Sequence, residues 1–527
     1  MNGTVALLRL ISRRDRVIMP IWIIALTLVP IAYVSSIKAA YPDAAARQQY
    51  YDINAGSATF TVRNGPLSGS GLGELLAWQC GFIPVVVALF SLLAVIRHSR
   101  TEEEAGRREL TESTSVGRYA GLGAALIAAC AADVVLAVLV AAGLSAQGLP
   151  VSGSLALGLE FAVAGCVFAG VGAIAAQLTW SAGGARGLGI GVLVLAFVVR
   201  AAGDTTPSAG WVAWLSPLGW AHRLRPFAGE RWWLVAVAAV VTAVLAAVAA
   251  MLSARRDLGG ALLPARLGRP AAKASLRSPL ALAWRLHRGT LLIWTACLAL
   301  VGLIMGGVAK NVGEMVRTNK SIADVFTRLG GGGAVLDAYL SSTMTLFGLA
   351  VSGYAIQATL KMRAEEAAGR AEPVLATAAG RVKWSLGHLL FAVLGPAVAL
   401  AATGFTTAIA YGGYTGDTAR ELGRLIPAAL AQLPAVWILA ALAVGLTGFL
   451  PRFTAAAWGL LGLFLVLGLV GSALRWNTAV LSVSPFTHLA KLPGGAFSVT
   501  SFGWLTVIAV AVTVAGITAL RRRDVPA

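Results

Sequence analysis

Two carboxylates lie inside long apolar stretches of the sequence, where an ionised side chain is costly. Asp133 stands about fifteen residues into one stretch, and Glu160 lies near the far end of the next. Acids at such depth favour a proton path or a contact with substrate. The alternatives are a protonated carboxyl group and a structural ion pair, for which Arg200, at the end of a further apolar stretch, is a possible partner.

The residues needed to hydrolyse a nucleotide are missing. No Gly-x-x-x-x-Gly-Lys-Ser/Thr segment occurs, so the sequence lacks the backbone cradle and the lysine that bind ATP phosphates. The five histidines offer no metal-ligand spacing, since no two are near each other in sequence. We therefore expect no enzyme activity and no cofactor in this chain, and the energy for any transport must come from a partner or a gradient.

A charged segment occurs twice, and its two versions align without a gap. Gly106-Arg107-Arg108-Glu109 matches Gly369-Arg370-Ala371-Glu372. Membrane topology requires basic residues but not acids, so recurrent glutamates indicate a surface that meets another protein, with a solvated loop as the alternative. The repeated positions are Glu102, Glu103, Arg107, Glu109 and Arg118 in the first half and Glu365, Glu366, Arg370, Glu372 and Arg381 in the second.

A second pair of matching segments precedes the last apolar stretch of each half. Ser216-Pro217 and Ser484-Pro485 lie in loops rich in Trp, Gly and Pro, and the apolar stretch that follows each one stops at Arg-Arg-Asp. Charged and proline positions that match at near-constant spacing predict a duplication. The second half has no acid in the stretches that correspond to those of Asp133 and Glu160, which weighs against an obligatory proton relay.

Apolar stretches long enough to cross a bilayer must position all of these residues. The chain has 527 residues, 57% hydrophobic and 12% charged, with a mean hydropathy of +0.77. A hydrocarbon core of about 30 Å requires roughly 20 apolar residues in a helix. We therefore predict an all-α polytopic membrane protein with twelve spans: 17–37, 75–96, 119–146, 154–178, 187–200, 232–253, 291–309, 338–360, 384–412, 425–449, 453–474 and 501–520.

The charges predict how the chain is oriented and divided. The net charge is +19, and most Lys and Arg fall on one side of the membrane, together with both termini. The positive-inside rule makes this side cytoplasmic, so the basic residues do not indicate a nucleic-acid partner. Six spans in each half give the halves the same orientation. We predict a first half at 1–257, a basic cytoplasmic linker at 258–283 and a second half at 284–527.

Small residues inside the apolar stretches indicate helix packing. All four cysteines lie in such stretches, and we expect no disulfide bond among Cys80, Cys130, Cys166 and Cys297. Glycines in the fourth and fifth stretches favour close contact between helices over ligand binding. These glycines are Gly165, Gly170, Gly172, Gly187, Gly189 and Gly191.

The chain resembles the ABC-2 type exporter permeases, in particular the fused twelve-span members that export polyketide antibiotics and other drugs in actinobacteria. The resemblance rests on the repeated charged segments, the Ser-Pro loops and the closing Arg-Arg-Asp triplets, and it covers nearly the whole chain. It implies two six-helix repeats in a bacterial plasma membrane, with the charged segments as cytoplasmic coupling helices. It also implies extracellular re-entrant hairpins at 201–231 and 475–500.

The same resemblance assigns roles to individual residues. The ten repeated charged residues would transmit motion from a docked ATPase. The extracellular gate would include Ser216, Pro217, Trp220, Ser484 and Pro485. Aromatic residues on the spans that line the family's central path would contact an apolar drug, with ordinary packing as the alternative for each. They are Trp22, Phe82, Phe90, Phe197, Trp294, Phe347, Tyr354 and Phe464.

The implied function is that of the permease subunit of an ATP-binding cassette exporter, which moves hydrophobic or amphipathic drugs and antibiotics out of the cell. Two copies of a separate ATPase subunit would bind ATP and Mg²⁺. The first alternative is a secondary transporter driven by protons through Asp133 and Glu160. The others are an ABC exporter of lipids or glycans, and a membrane scaffold or sensor that transports nothing.

Overall fold

The computed structural model describes residues 3–56, 58–112, 116–256, 260–263, 271, 276, 278–318, 332–377, 380–468 and 477–522. Across these residues every regular element is helical. A helix satisfies its own backbone hydrogen bonds, which the interior of a lipid bilayer requires. The chain forms two compact units, Met1–Gly268 and Arg269–Ala527. The linker predicted at 258–283 falls largely outside the described residues.

The first unit is centred on one long buried helix, α10. This helix packs against α6, α9, α11 and α13, and a ³₁₀ helix at Pro207–Leu215 precedes α12. The helices of the unit are α1 (Thr4–Arg14), α2 (Ile18–Ala40), α3 (Ala44–Asn54), α4 (Ala58–Asn64), α5 (Leu72–Gln79), α6 (Ile83–His98), α7 (Arg100–Glu104), α8 (Arg107–Glu112), α9 (Ala120–Ser145), α10 (Val151–Leu178), α11 (Ala182–Thr205), α12 (Pro217–Arg223) and α13 (Trp233–Ala254).

The second unit has its own core, in which α17 packs against α14, α15 and α18. In the same unit α19 packs against α15 and α22, and a ³₁₀ helix spans Pro485–His488. The described helices are α14 (Pro279–Thr318), α15 (Gly332–Ala367), α16 (Glu372–Leu375), α17 (Arg381–Thr415), α18 (Thr418–Leu430), α19 (Leu433–Phe449), α20 (Ala456–Val466), α21 (Thr478–Leu481) and α22 (Val499–Arg522).

Eleven helices in the described parts of the chain are long and apolar enough to cross a membrane. This confirms the prediction of an all-α polytopic membrane protein. The stretch predicted at 453–474 contributes only the 11-residue helix α20 to the described residues, which end at 468 there. The arrangement of twelve spans therefore stays a prediction.

Some helix boundaries differ from the predicted spans. The span predicted at 75–96 is interrupted, because α5 ends at Gln79 and α6 begins at Ile83. Pro84 lies in the first turn of α6, where a missing backbone N–H costs no helical hydrogen bond. The span predicted at 187–200 is the longer helix α11, whose first turn is capped by the Ser181 side chain.

Close helix contacts explain most of the glycines in α10 and α11. A Cβ at Gly172 would lie 2.8 Å from the backbone oxygen of Leu92 in α6. Gly165, Gly170 and Gly189 likewise face side chains of neighbouring helices within 2.7 Å of such a Cβ. Gly187 and Gly191 have no described atom within 4 Å of such a Cβ, so this part of the structure does not show the close contact predicted for these two.

Alanine substitutions should separate the two kinds of glycine. We expect Gly172→Ala to destabilise the protein by about 1–3 kcal/mol, because the added methyl group meets backbone that cannot move aside cheaply. Gly187→Ala should change stability by less than about 1 kcal/mol, since the position is open and alanine favours a helix. The measurement is the unfolding midpoint of both variants in the same detergent, and equal shifts would contradict this packing.

Candidate partner-docking segments and intramembrane acids

The first repeated charged segment is a helical hairpin built around one ion pair. Gly106, at φ +68°, reverses the chain between α7 and α8, a conformation that favours glycine. Arg107 then reaches back to Glu102 with its Nε and Nη2 atoms, each 2.8 Å from a carboxylate oxygen. Arg14 approaches the same carboxylate at 2.6 Å. Two parallel bonds from one guanidinium group fix the geometry of this turn.

The second segment repeats this geometry at the end of α15. Gly369 has φ +69°, and Arg370 binds Glu365 through contacts of 2.8 and 3.1 Å. The matching spacing of glutamate, glycine and arginine in sequence therefore corresponds to one local structure that is built twice.

Arg118 and Arg381 tie each segment to the last helix of its own unit. Arg118 Nη2 donates to the backbone oxygens of Ser253 and Arg256, each at 2.9 Å, at the end of α13. Arg381 Nη1 donates to the backbone oxygen of Arg521 at 3.5 Å, in the last turn of α22. The last carbonyl groups of a helix lack partners within the helix, and a cation is favoured there. These arginines therefore position the segments.

A buried carboxylate holds the first segment against the unit. Glu103 binds Arg256 Nη2 at 2.8 Å, and Arg100 and Arg108 approach it at 3.2 and 3.5 Å. A buried charge is tolerated only when it is paired and hydrogen-bonded. Arg256 also donates to Gln177 of α10 at 2.8 Å, so the cluster joins α7, α8 and α10 to the end of α13.

The described residues of the second unit repeat part of this cluster. Glu366 is buried and binds Arg363 at 2.9 Å, in the positions that correspond to Glu103 and Arg100. Ala371 stands where the first unit has Arg108. The residue that corresponds to Arg256 is Arg523, which lies outside the described residues.

The predicted coupling residues divide into buried and exposed ones, and their role stays a prediction. Glu103, Glu365 and Glu366 are each less than 10% exposed, and arginines of their own unit bind their carboxylates. Glu109 and Glu372 are exposed, as are Arg107 and Arg370. Sequence matching could not separate the two sets, because buried and exposed acids recur equally well in a duplication.

The Ser-Pro loops place a buried serine in front of a short helix in both units. Pro217 opens α12, and Pro485 opens a ³₁₀ helix. Ser216 Oγ donates to the backbone oxygen of Ala196 at 2.7 Å. Trp220 Nε1 donates to the backbone oxygen of Trp214 at 2.6 Å. These contacts fold 201–231 into a compact helical segment, whereas its position relative to the membrane stays a prediction.

Asp133 is a fully buried residue that links helices of the first unit. Ser91 Oγ of α6 donates to Asp133 Oδ1 of α9 at 2.7 Å. Gly165 of α10 leaves room for the carboxyl group, because a Cβ there would lie 2.4 Å from it. These contacts favour the structural alternative for this acid.

Glu160 lies in a second buried polar cluster, at the other end of the unit. His222 Nε2 is 3.9 Å from the Glu160 carboxylate and 2.9 Å from the backbone oxygen of Gly81. Burial, and then the positive charge of Arg200, lower the pKa of His222 to about 3. The imidazole is therefore neutral at pH 7 and donates to Gly81. Arg200, predicted as a partner of Glu160, binds His222 Nδ1 at 3.4 Å and Asp204 at 3.8 Å.

The aromatic residues predicted to contact a drug fall into two groups. In the first unit Trp22 stacks on Phe90 at 5.3 Å, and Phe82 meets Phe197 edge to face at 6.1 Å. Phe82 is 43% exposed and Phe90 38% exposed. In the second unit Trp294 is half-buried, whereas three residues are buried in the hydrophobic core and need a rearrangement to meet a ligand: Phe347, Tyr354 and Phe464.

One contact between titratable groups could not be predicted from the sequence, because the two residues are far apart along the chain. His287 of α14 and His388 of α17 lie with Nε2 and Nδ1 2.9 Å apart. Their positions 101 residues apart gave no signal, since only the packing of the two helices brings them together. In the described ranges no group of three or more His, Cys, Asp or Glu side chains could hold a metal ion.

The buried and exposed glutamates of the first segment should respond differently to neutralisation. We expect Glu103→Gln to destabilise the protein by about 3 kcal/mol, because it leaves three clustered arginines without their counter-charge. Glu109→Gln, in the same segment, should change stability by less than about 0.5 kcal/mol. Thermal unfolding of the two purified variants tests this, and a stable Glu103→Gln protein would show that the cluster does not hold the segment.

The chain matches known multidrug permeases along both units. The sequence family described as "Multidrug efflux system permease Rv1217c, C-terminal domain" matches residues 6–252 and 276–521. The multidrug efflux system permease protein Rv1217c of Mycobacterium tuberculosis (strain ATCC 25618 / H37Rv) is 41% identical over 526 residues, which cover 99% of this chain and 95% of that protein. The resemblance to an actinobacterial multidrug permease is thus confirmed. The chain belongs to the family of multidrug efflux system permeases that includes Rv1217c.

Proposed function

We propose that this chain is the transmembrane permease subunit of an ATP-binding cassette exporter and moves hydrophobic or amphipathic drugs out of the cell. The observation that carries the proposal is the duplicated hairpin, in which one glutamate is buried and bound by arginine while the glutamate six residues later is exposed. The Mycobacterium tuberculosis relative is named as a component of a multidrug efflux system. Because the sequence contains no phosphate-binding loop, ATP and Mg²⁺ would be bound by a separate subunit.

The two hairpins of this chain would each bind one copy of that ATPase. Each hairpin follows directly on a long apolar helix, α6 or α15, and binds the last helix of its unit through Arg118 or Arg381. A displacement of a docked subunit would therefore be passed to two membrane helices at once. Salt-bridged turns are suited to this, since a flexible loop would absorb the motion.

The proposal includes an orientation and a division of the chain. The hairpins and both termini would lie in the cytoplasm of a bacterial cell, and the two halves would be joined by the linker at 258–283. The Ser-Pro segments at 201–231 and 475–500 would then lie outside, where they would close the exit from the translocation path. Among the predicted drug contacts, the partly exposed rings of Phe82 and Phe90 are the most accessible.

Charge reversal of the exposed acids tests the docking role. We expect Glu109→Lys and Glu372→Lys together to abolish stimulation of the partner ATPase by the permease, because both hairpins would present the wrong charge. Folding should be unchanged, since neither residue is buried. Stimulation is measured with purified subunits in lipid nanodiscs.

The matched control is Asp52→Lys, which makes the same change on the exposed surface of α3, far along the chain from both hairpins. This variant should keep full stimulation. If the double reversal also keeps full stimulation, the ATPase does not dock through these acids.

Removal of the accessible rings tests the proposed drug contact. We expect Phe82→Ala and Phe90→Ala each to lower kcat/KM for export of a hydrophobic dye by about tenfold, because an aromatic contact of this size contributes roughly 1–2 kcal/mol. Phe449→Ala, which removes an exposed ring of α19 that is not among the predicted contacts, is the control. Equal losses in all three variants would show that the rings support packing in the membrane and not recognition.

A further inference from the structure

A pocket of about 360 Å³ opens beside the first charged hairpin. Its apolar floor is formed by Leu7, Leu10 and Ile11 of α1. Its rim carries Arg14, at the end of the same helix, and Arg107, at the start of α8. The volume lies within the usual range of small-molecule and headgroup sites. The second hairpin has no part in this pocket.

The position of the pocket is that of a membrane surface. Its walls come from segments next to the ends of three candidate spans: α1 ends four residues before α2 begins, α6 ends at His98, and α9 begins at Ala120. The helix α1 is itself amphipathic: Val5 and Leu10 are exposed apolar residues, and Arg9 and Arg13 are exposed basic ones. Helices of this composition lie in the headgroup region of a bilayer.

Basic groups outnumber acidic ones in the lining of the pocket. Arg14, Arg107 and Arg108 line it together with one carboxylate, that of Glu102. Arg108 is also paired with the buried Glu103, and His98 in the lining contacts Asp15 at 2.5 Å. The neighbouring Glu104 is engaged elsewhere, since its Oε2 accepts the backbone N–H of Ala182 at 2.9 Å. Arg14 and Arg107 share the Glu102 carboxylate, and their side chains are 40% and 49% exposed, so N–H donors of both remain accessible. Two cations on one carboxylate leave a positive rim that attracts an additional anion.

We propose that this pocket binds an anionic phospholipid of the inner leaflet. The phosphate would contact Arg14 and Arg107, and the first carbons of the acyl chains would lie on Leu7 and Leu10. Arginine is the preferred side chain for phosphate oxygens, and basic residues beside a membrane helix attract anionic lipids. A soluble anion would leave the apolar floor unused, which is why the occupant is a lipid. The assignment to the inner leaflet rests on the orientation proposed above, and Arg107 belongs to the proposed docking hairpin. Lipid binding itself requires no partner subunit, so its failure and the failure of ATPase docking are distinguishable.

The second unit supplies a matched control for this site. Its first described helix, α14, runs without interruption from Pro279 to Thr318, so the described part of this unit shows no separate amphipathic helix before the first span. Ala371 replaces Arg108. Arg370 nevertheless forms the same bidentate contact with glutamate as Arg107. Removing Arg370 therefore reproduces the loss of a surface arginine and of its ion pair without affecting the pocket.

Lipid titration of the full chain tests the proposal. The purified protein in neutral detergent is titrated with phosphatidylglycerol or phosphatidylcholine, and bound lipid is counted by native mass spectrometry. We expect phosphatidylglycerol to bind more tightly, and Arg14→Gln and Arg107→Gln each to weaken it about fivefold, the effect of one basic residue at a membrane surface. Arg370→Gln should bind as the unchanged protein does, and inorganic phosphate should not displace the lipid.

Three outcomes would overturn the proposal. Phosphatidylglycerol could bind equally well after both pocket arginines are replaced, or Arg370→Gln could weaken binding as much as Arg107→Gln does. Displacement by inorganic phosphate would identify a site for a free anion instead. If the arginine variants unfold, Leu10→Ser tests lipid binding in their place. This variant removes an exposed apolar contact and leaves the ion pairs intact. Unchanged phosphatidylglycerol binding by that variant would exclude the lipid.

Discussion

The burial of one carboxylate at the end of a membrane helix constrains the charged end of the first unit. Glu103 is only 8% exposed, so its charge must be balanced by protein groups, and arginines from α7, α8 and the end of α13 converge on it. This convergence fixes the angle between the hairpin and the helices that cross the membrane. It also determines which acid points outward, because Gly106 reverses the chain and leaves Glu109 on the exposed side.

The two units share this plan but not its details. Both have the reversing glycine, the bidentate arginine and the arginine that binds the last helix. Only the first has Arg108 in the buried cluster, and Asp133 and Glu160 have no acid at the matching positions of the second unit. The second unit instead buries Glu421 near the start of α18, where Arg424 binds it at 3.0 Å. Ser91 binds one oxygen of Asp133, and His222 lies 3.9 Å from Glu160, so both acids contact neighbouring helices of their own unit. A role of either acid in transport stays a prediction. The features that both units share would give two identical docking partners the same surface to bind.

The sequence predicted the fold class and the repeat because both depend on patterns along the chain. Hydropathy identifies helices that lipid must surround, and fixed spacing identifies the duplicated hairpin. The exposure of individual glutamates was not predictable in the same way. Glu103 and Glu109 are six residues apart, and both recur in the second half. Only the packing of the hairpin against the end of α13 shows that Glu103 is the buried one. The contact between His287 and His388 depends on the packing of two helices that are distant in sequence. The break before α6 depends on the local backbone conformation.

In the proposed mechanism, export is driven by a separate ATPase that binds the paired hairpins. The most direct test is dye transport in liposomes that contain the purified chain, with either the ATPase and ATP or a proton gradient alone. We expect transport only when both the ATPase and ATP are present, with no movement under the gradient. Transport driven by the proton gradient in the absence of any ATPase would contradict it and would direct attention to Asp133 and Glu160.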